Sequence, residues 1–423
     1  MPHTSLDVAI VGAGLAGLTA ARRLQRAGRT CAVFEARERV GGRIHGFAVG
    51  DRVVQLGGRW IGPGQDRIKA LATELGLSVR PLDVFSEAFA PDKPADFVRA
   101  VRLIDDLAAT VPLDRPWTAP GAERLDAQTL DTWLCANFEA GLVAALTDVL
   151  IGFLPLPKDV SLLHALFYLR SNGGLAGIMG LDGPAHDSET FSEGAHALAQ
   201  RLAEGLVPAT VRLSAPVREV RQDRAGVEIH VADEIVHAAA AIVTLPPVLA
   251  GRLHWDPPML PDRDYLTQRM PIRGKIVAAV LYDAPFWRGR GFASDRIYAW
   301  DEGGDARPAC ITLLASIHRS QEVWAMAEPM RKDALLDDLA ALLGPTAREP
   351  AGFHMIHWAA EPWSRGCNSF LTTGAWTGWG HALRAPVGRV HWAGAEISER
   401  FVGQMEGAVR SAETAADVIL ESF

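Results

Sequence analysis

The sequence predicts an α/β fold built around a dinucleotide-binding βαβ unit. Three features carry this: the apolar run Val8-Ala9-Ile10-Val11, the word Gly12-Ala13-Gly14-Leu15-Ala16-Gly17 opening a helical pattern, and a second apolar run, Val33-Phe34, that ends on Glu35. Gly41-Gly42-Arg43 completes the segment. A buried strand that turns at once into a helix leaves the first helical N–H groups without partners. Gly12 permits the turn, Gly14 lets the backbone approach a pyrophosphate on the positive helix end, and Gly17 lets helix and strand pack closely. Glu35, eighteen residues past Gly17, is placed to accept from both hydroxyls of an adenosine ribose and disfavours a 2′-phosphate. Arg22 and Arg23 fall on the expected outer face of the helix.

Further along, Asp66 to Leu75 repeats apolar residues at helical spacing until Gly76 stops it. Residues 81 to 190 read as mostly helical, with loops at Pro112 to Pro120, Pro155 to Pro157 and the glycine-laden Gly173 to Gly183. The pattern then turns to β at Val211 to Leu213, Val217 to Val220, Val227 to Val231 and Ala241 to Leu245. Lys275 to Tyr282 and Val390 to Trp392 read as later strands, and a last helix runs from Met405.

Length and balance narrow the function classes. A chain of 423 residues, 48% hydrophobic, holds enough apolar material for two packed domains. Its net charge of −8 comes without a basic stripe, which argues against nucleic acid as a partner. No apolar run reaches the roughly 18 to 20 residues of a membrane span. Cys31, Cys135, Cys310 and Cys367 are too scattered for a zinc site or a C-x-x-C pair, so no metal is expected. With the first strand entered by Asp7 there is no room for a secretory leader, and the expected location is cytoplasmic.

Several words in order resemble the flavin-containing amine oxidases of the monoamine oxidase type. They are the nucleotide cradle, Leu56-Gly57-Gly58-Arg59-Trp60, Pro285-Phe286-Trp287, Trp392-Ala393-Gly394-Ala395-Glu396, and Gly403-Gln404-Met405-Glu406-Gly407. The resemblance implies a Rossmann-type FAD-binding domain interleaved with an α+β substrate-binding domain. The first would gather residues 1–80, 190–270 and 388–423, and the second 81–189 and 271–387. It further implies that Arg37 and Arg43 lie near ribose and phosphates, Val217 near the adenine, and Trp358 beside the flavin. Gly57, Gly58, Arg59, Trp60, Gly394, Glu396, Gln404 and Met405 join this cofactor set, with the helix from Met405 aiming its positive end at the flavin.

The implied reaction is oxidation of an amine to an imine, hydrolysed to an aldehyde or ketone, with oxygen reduced to hydrogen peroxide. The flavin carries the chemistry, so no His/Asp/Ser constellation is required. The alternatives are an amine dehydrogenase with another electron acceptor and an FAD-binding protein without catalysis. Homodimers are common in the family.

Three positions test that reading. Where many relatives place two facing aromatic rings, this chain has Asn368 and Gln404, which favours a polar amine unless Trp363, Phe370 or Trp376 rebuilds an aromatic wall. The lysine that relatives hold near the flavin falls at Val277, and Lys275 lies two residues earlier, on the same face of a strand but about 6 to 7 Å along it. Lys275 either recovers that role or is a solvated residue at the strand's start. Cys367 matches the cysteine that some relatives join to FAD by a thioether, while others bind FAD without a covalent bond. Met179 and His186 match a cavity wall, and no arginine stands out as a clamp for a substrate carboxylate.

Overall fold

The structure, a computed structural model, describes residues 6–82, 93–289, 291–303 and 306–422. Strand Leu6–Val11 lies inside an eight-stranded sheet, flanked in parallel by Cys31–Phe34 and Glu234–Val243. Val211–Arg212 extends the sheet on one side, and Val227–Val231, Val217–Gln222 and His254–Asp256 extend it on the other. Val390–Trp392 also pairs in parallel with Glu234–Val243. Alternate residues of the first strand enter different cores. Val8 and Ile10 pack with Leu18, Val33 and Val409, whereas Ala9 and Val11 pack with Phe34, Val243 and Trp392. Both faces are covered, which is why the strand reads as an unbroken apolar run.

Helix Leu15–Arg26 follows the glycine turn, where Gly12 has φ +104°, and it packs against the C-terminal helix Met405–Leu420. A Cβ on Gly17 would lie 1.9 Å from the Gly12 carbonyl oxygen, so only glycine permits this approach. Arg23 is exposed as expected, but Arg22 is largely covered, because Glu74 of helix Asp66–Glu74 pairs with it at 2.8 Å.

The middle region is helical, in Ala95–Ala109, Ala122–Asp126, Leu130–Asn137, Ala140–Leu150 and Leu162–Ser171, while residues 83–92 lie outside the described part. The expected loop Gly173 to Gly183 is corrected in part. It contains a short helix, Gly174–Met179, whose first N–H groups, of Leu175 and Ala176, donate to the Asp105 carboxylate from a neighbouring helix. The strand expected at Ala241 to Leu245 begins earlier and forms Glu234–Val243.

A second sheet has five antiparallel strands in the order Gly291–Ala293, Ile297–Asp301, Ala309–Ala315, Ile276–Tyr282 and Gly352–His357. One face of Ile276–Tyr282 packs under helix Glu328–Leu343. Its other face, including Ala279 and Leu281, packs on Val54 and Leu56 of the N-terminal segment. That contact sets the strand end leading into Gly57-Gly58 beside the second sheet.

Candidate active site

Three cavities run into one another across the molecule. The first opens at the carboxyl ends of Leu6–Val11 and Cys31–Phe34 and is lined by Gly12, Gly14, Glu35, Arg43, Gly394 and Met405. The second, lined by Val217, Leu249, Arg252 and Trp363, shares Gly12, Glu35 and Arg37 with the first. The third lies further inward and shares Arg43, Gly58, Cys367, Gly403, Gln404 and Met405 with the first.

The first cavity has the chemistry of a dinucleotide cradle. The N-cap of Leu15–Arg26 is Gly14, with no side-chain cap and no acid in the first turn, so the helix end is free to take an anion. A Cβ on Gly14 would meet nothing within 4 Å, and one on Gly58 only Met405 Cγ at 4.0 Å. Both backbones therefore face open space and leave room for a flavin nucleotide. Glu35 is 3% exposed and accepts from the N–H groups of Ala13 at 2.8 Å and Arg37 at 3.0 Å. Met405–Leu420 likewise begins at the cavity without a side-chain cap.

The inner cavity combines aromatic walls with a few polar groups. Trp60, Phe153, Tyr168, Trp300 and Trp358 supply rings, and Trp358 is fixed by donating to the Leu56 carbonyl at 2.8 Å. Asn368 and Gln404 both line it. Gln404 Nε2 donates to the Tyr168 hydroxyl at 3.3 Å, and Asn368 Nδ2 to the Phe153 carbonyl at 3.4 Å.

Its arginines are paired with acids. Arg43 makes a two-pronged contact with Glu396 at 2.6 and 2.8 Å and donates to the Cys367 carbonyl. Burial alone lowers the Arg43 pKa, but the Glu396 charge more than offsets this and raises it. Arg59, 2% exposed, grips Glu302, and Arg273 meets Asp159 at 2.7 Å. Burial pushes the Glu302 carboxyl up, yet Arg59 and the donors Thr312 and Trp300 win and hold it down. Lys275 is different. Its Nζ donates to the Ile151 carbonyl at 3.0 Å, and burial pushes its pKa down to about 8. Burial raises the Cys367 thiol, against the pull of Arg43 and Lys275.

Several sequence expectations meet here and others part. Lys275, just outside strand Ile276–Tyr282, faces the same cavity as Val277 and is held by a carbonyl rather than by solvent. The Arg59 guanidinium turns away from the nucleotide cradle toward Glu302, and Trp60 packs on Trp300 with centroids 5.7 Å apart. Trp376 is buried among His164, Phe167 and Trp117, Phe370 is in the core, and Trp363 borders the outer cavities, so none of the three lines the inner one. Met179 is also a core residue. His186 stands behind Asp187, and Asp187 is the residue at the wall. Sequence reasoning missed Tyr168, Trp300, Glu302 and Asp187. Tyr168 sits in a helix apolar on nearly all sides, and Trp300 in a strand whose pattern was not recognised.

Comparison with known proteins agrees with this fold. The sequence pattern of the flavin-containing amine oxidoreductases matches residues 15–420. An L-amino acid dehydrogenase of Synechocystis is 34% identical, over 99% of this chain and 96% of the relative. A triple mutant of putrescine oxidase superposes with a TM-score of 0.90 at 28% identity, covering 99% of both chains. Cyclohexylamine oxidase from Brevibacterium oxydans superposes with a TM-score of 0.88 at 28% identity, again covering 99% of both. The chain belongs to the flavin-containing amine oxidoreductase family and is an FAD-dependent enzyme of amine oxidation.

Proposed function

We propose that the chain oxidises small polar amines, with FAD extended through the joined cavities and oxygen as the electron acceptor. The adenosine lies beside Val217 and Glu35, the pyrophosphate on the N-terminus of Leu15–Arg26, and the ring system against Gly58, Trp358, Gln404 and Met405. The nucleotide-binding part gathers 1–80, 190–270 and 388–423, and the substrate part 81–189 and 271–387. The observation that carries the reading is the shared lining of the first and inner cavities, because a ring held there is also a wall of the inner one. Bound FAD supplies the acceptor for the hydride equivalent that leaves the carbon bearing the nitrogen.

The chain's own residues then have separable tasks. The aromatic walls exclude water, and the Asn368 and Gln404 amides offer donors and acceptors to a polar substituent. The Lys275 ammonium supports negative charge developing on oxygen. Cys367 borders both cavities, which supports a thioether to the flavin. Cys31, Cys135 and Cys310, none of them in a disulfide, fit a reducing, cytoplasmic setting.

A dehydrogenase reading is favoured by two observations, Val277 where relatives hold a lysine and the similarity to an L-amino acid dehydrogenase. Mixing amine-reduced enzyme with aerated buffer separates the two. Reoxidation within seconds with stoichiometric hydrogen peroxide is the expected result, and reduced enzyme that persists for minutes in air supports the dehydrogenase.

A further inference from the structure

Asp187 is the only carboxylate among the described residues that line the inner cavity. Its Oδ1 lies 2.9 Å from His186 Nδ1, and the other ring nitrogen of His186 lies 3.2 Å from Nε2 of the fully buried Gln65. Two side chains therefore fix the acid from behind while it faces the cavity. Its side chain is 13% exposed, and no lysine or arginine among the described residues pairs with it. A carboxylate so placed favours a cationic ligand. The arginines on the same cavity cannot claim it, because Arg43, Arg59 and Arg273 are taken by Glu396, Glu302 and Asp159.

Such a seat suits a cation other than the nitrogen being oxidised. That nitrogen reacts through its lone pair, and a carboxylate beside it would keep it protonated. We propose that Asp187 determines specificity by seating a second, non-reacting ammonium, so that the preferred substrates are short diamines; this rests on the amine-oxidising function proposed above. Lys275, on the same cavity, repels the charged end of such a substrate and leaves Asp187 as its seat.

The test uses the holoenzyme with α,ω-diamines of three to six carbons and straight-chain monoamines of matching length, followed by flavin reduction and by steady-state rates. The best diamine is expected to exceed its matching monoamine in kcat/KM by about 10- to 100-fold. In Asp187→Asn the diamine KM rises by about the same factor while kcat and the monoamine constants change by less than about twofold. Asp187→Glu keeps the diamine preference and moves the optimum to a shorter chain, which a merely structural partner of His186 would not do. Equal treatment of diamines and monoamines by the wild type, or equal losses on both in Asp187→Asn, overturns this inference and leaves amine oxidation standing. Failure of every amine to reduce the flavin overturns the proposed function as well.

Discussion

Gly14→Ala separates cofactor recognition from folding. Gly14 has φ −72° and ψ 179°, a conformation open to alanine, and its added Cβ would touch nothing within 4 Å. The apoprotein is therefore expected to melt within about 1 °C of wild type, since the change adds no clash and no backbone strain. The same methyl projects into the cradle where the pyrophosphate approaches the backbone. Losing one charge-assisted hydrogen bond costs about 1.5 to 3 kcal/mol, so the Kd for FAD is expected to rise by about 10- to 150-fold. Gly17→Ala is the contrast. Its Cβ lies 1.9 Å from the Gly12 oxygen and must retreat by about 1.5 Å to ordinary contact at 3.4 Å, a backbone shift that lowers apoprotein stability by about 3 kcal/mol as well as weakening FAD. Equilibrium dialysis with FAD and thermal melts of the apoproteins provide the readouts. Wild-type FAD affinity in Gly14→Ala would refute the assignment of the pyrophosphate to this helix end.

Lys275→Met is expected to slow reoxidation by oxygen about 10- to 100-fold while leaving flavin reduction by amine within about twofold, as read by stopped flow. The Lys275 pKa lies at about 8, so the ammonium is present below that pH and lost above it. The wild-type reoxidation constant should accordingly fall as pH rises through about 8, and the Met variant should show a flat profile. Glu302→Gln leaves Arg59 buried without a counter-charge and is expected to destabilise the fold by about 3 to 5 kcal/mol in denaturant unfolding, whereas an unchanged midpoint would remove the pair from the stability account. Acid precipitation should carry yellow colour into the wild-type pellet and release it in Cys367→Ala. Colour freed from the wild type would refute the thioether.

The nucleotide half was legible because its signals are local. Gly12, Gly14, Gly17 and Glu35 lie within 24 consecutive residues, and each answers to one backbone or hydrogen-bond requirement. The inner cavity was less so, because its walls come from distant segments whose local patterns say nothing about what they face. Tyr168 looks like any residue of a buried helix, and Trp300 becomes a wall only when its strand pairs with Ala309–Ala315. Arg59 shows the limit of a motif. Its neighbours Gly57 and Gly58 line the inner cavity, but Glu302, more than 240 residues later, decides where the guanidinium points. The Gly173 to Gly183 stretch was misread for a related reason, since the Asp105 cap that stabilises Gly174–Met179 comes from another helix.

The most direct test of the central claim is an anaerobic titration of the purified holoprotein with monoamines, diamines, cyclic amines and amino acids, followed in the visible spectrum. Stoichiometric loss of the oxidised flavin band with at least one amine class is the predicted result, with the aldehyde or ketone recovered afterwards. FAD that stays oxidised before every member of the panel would contradict it.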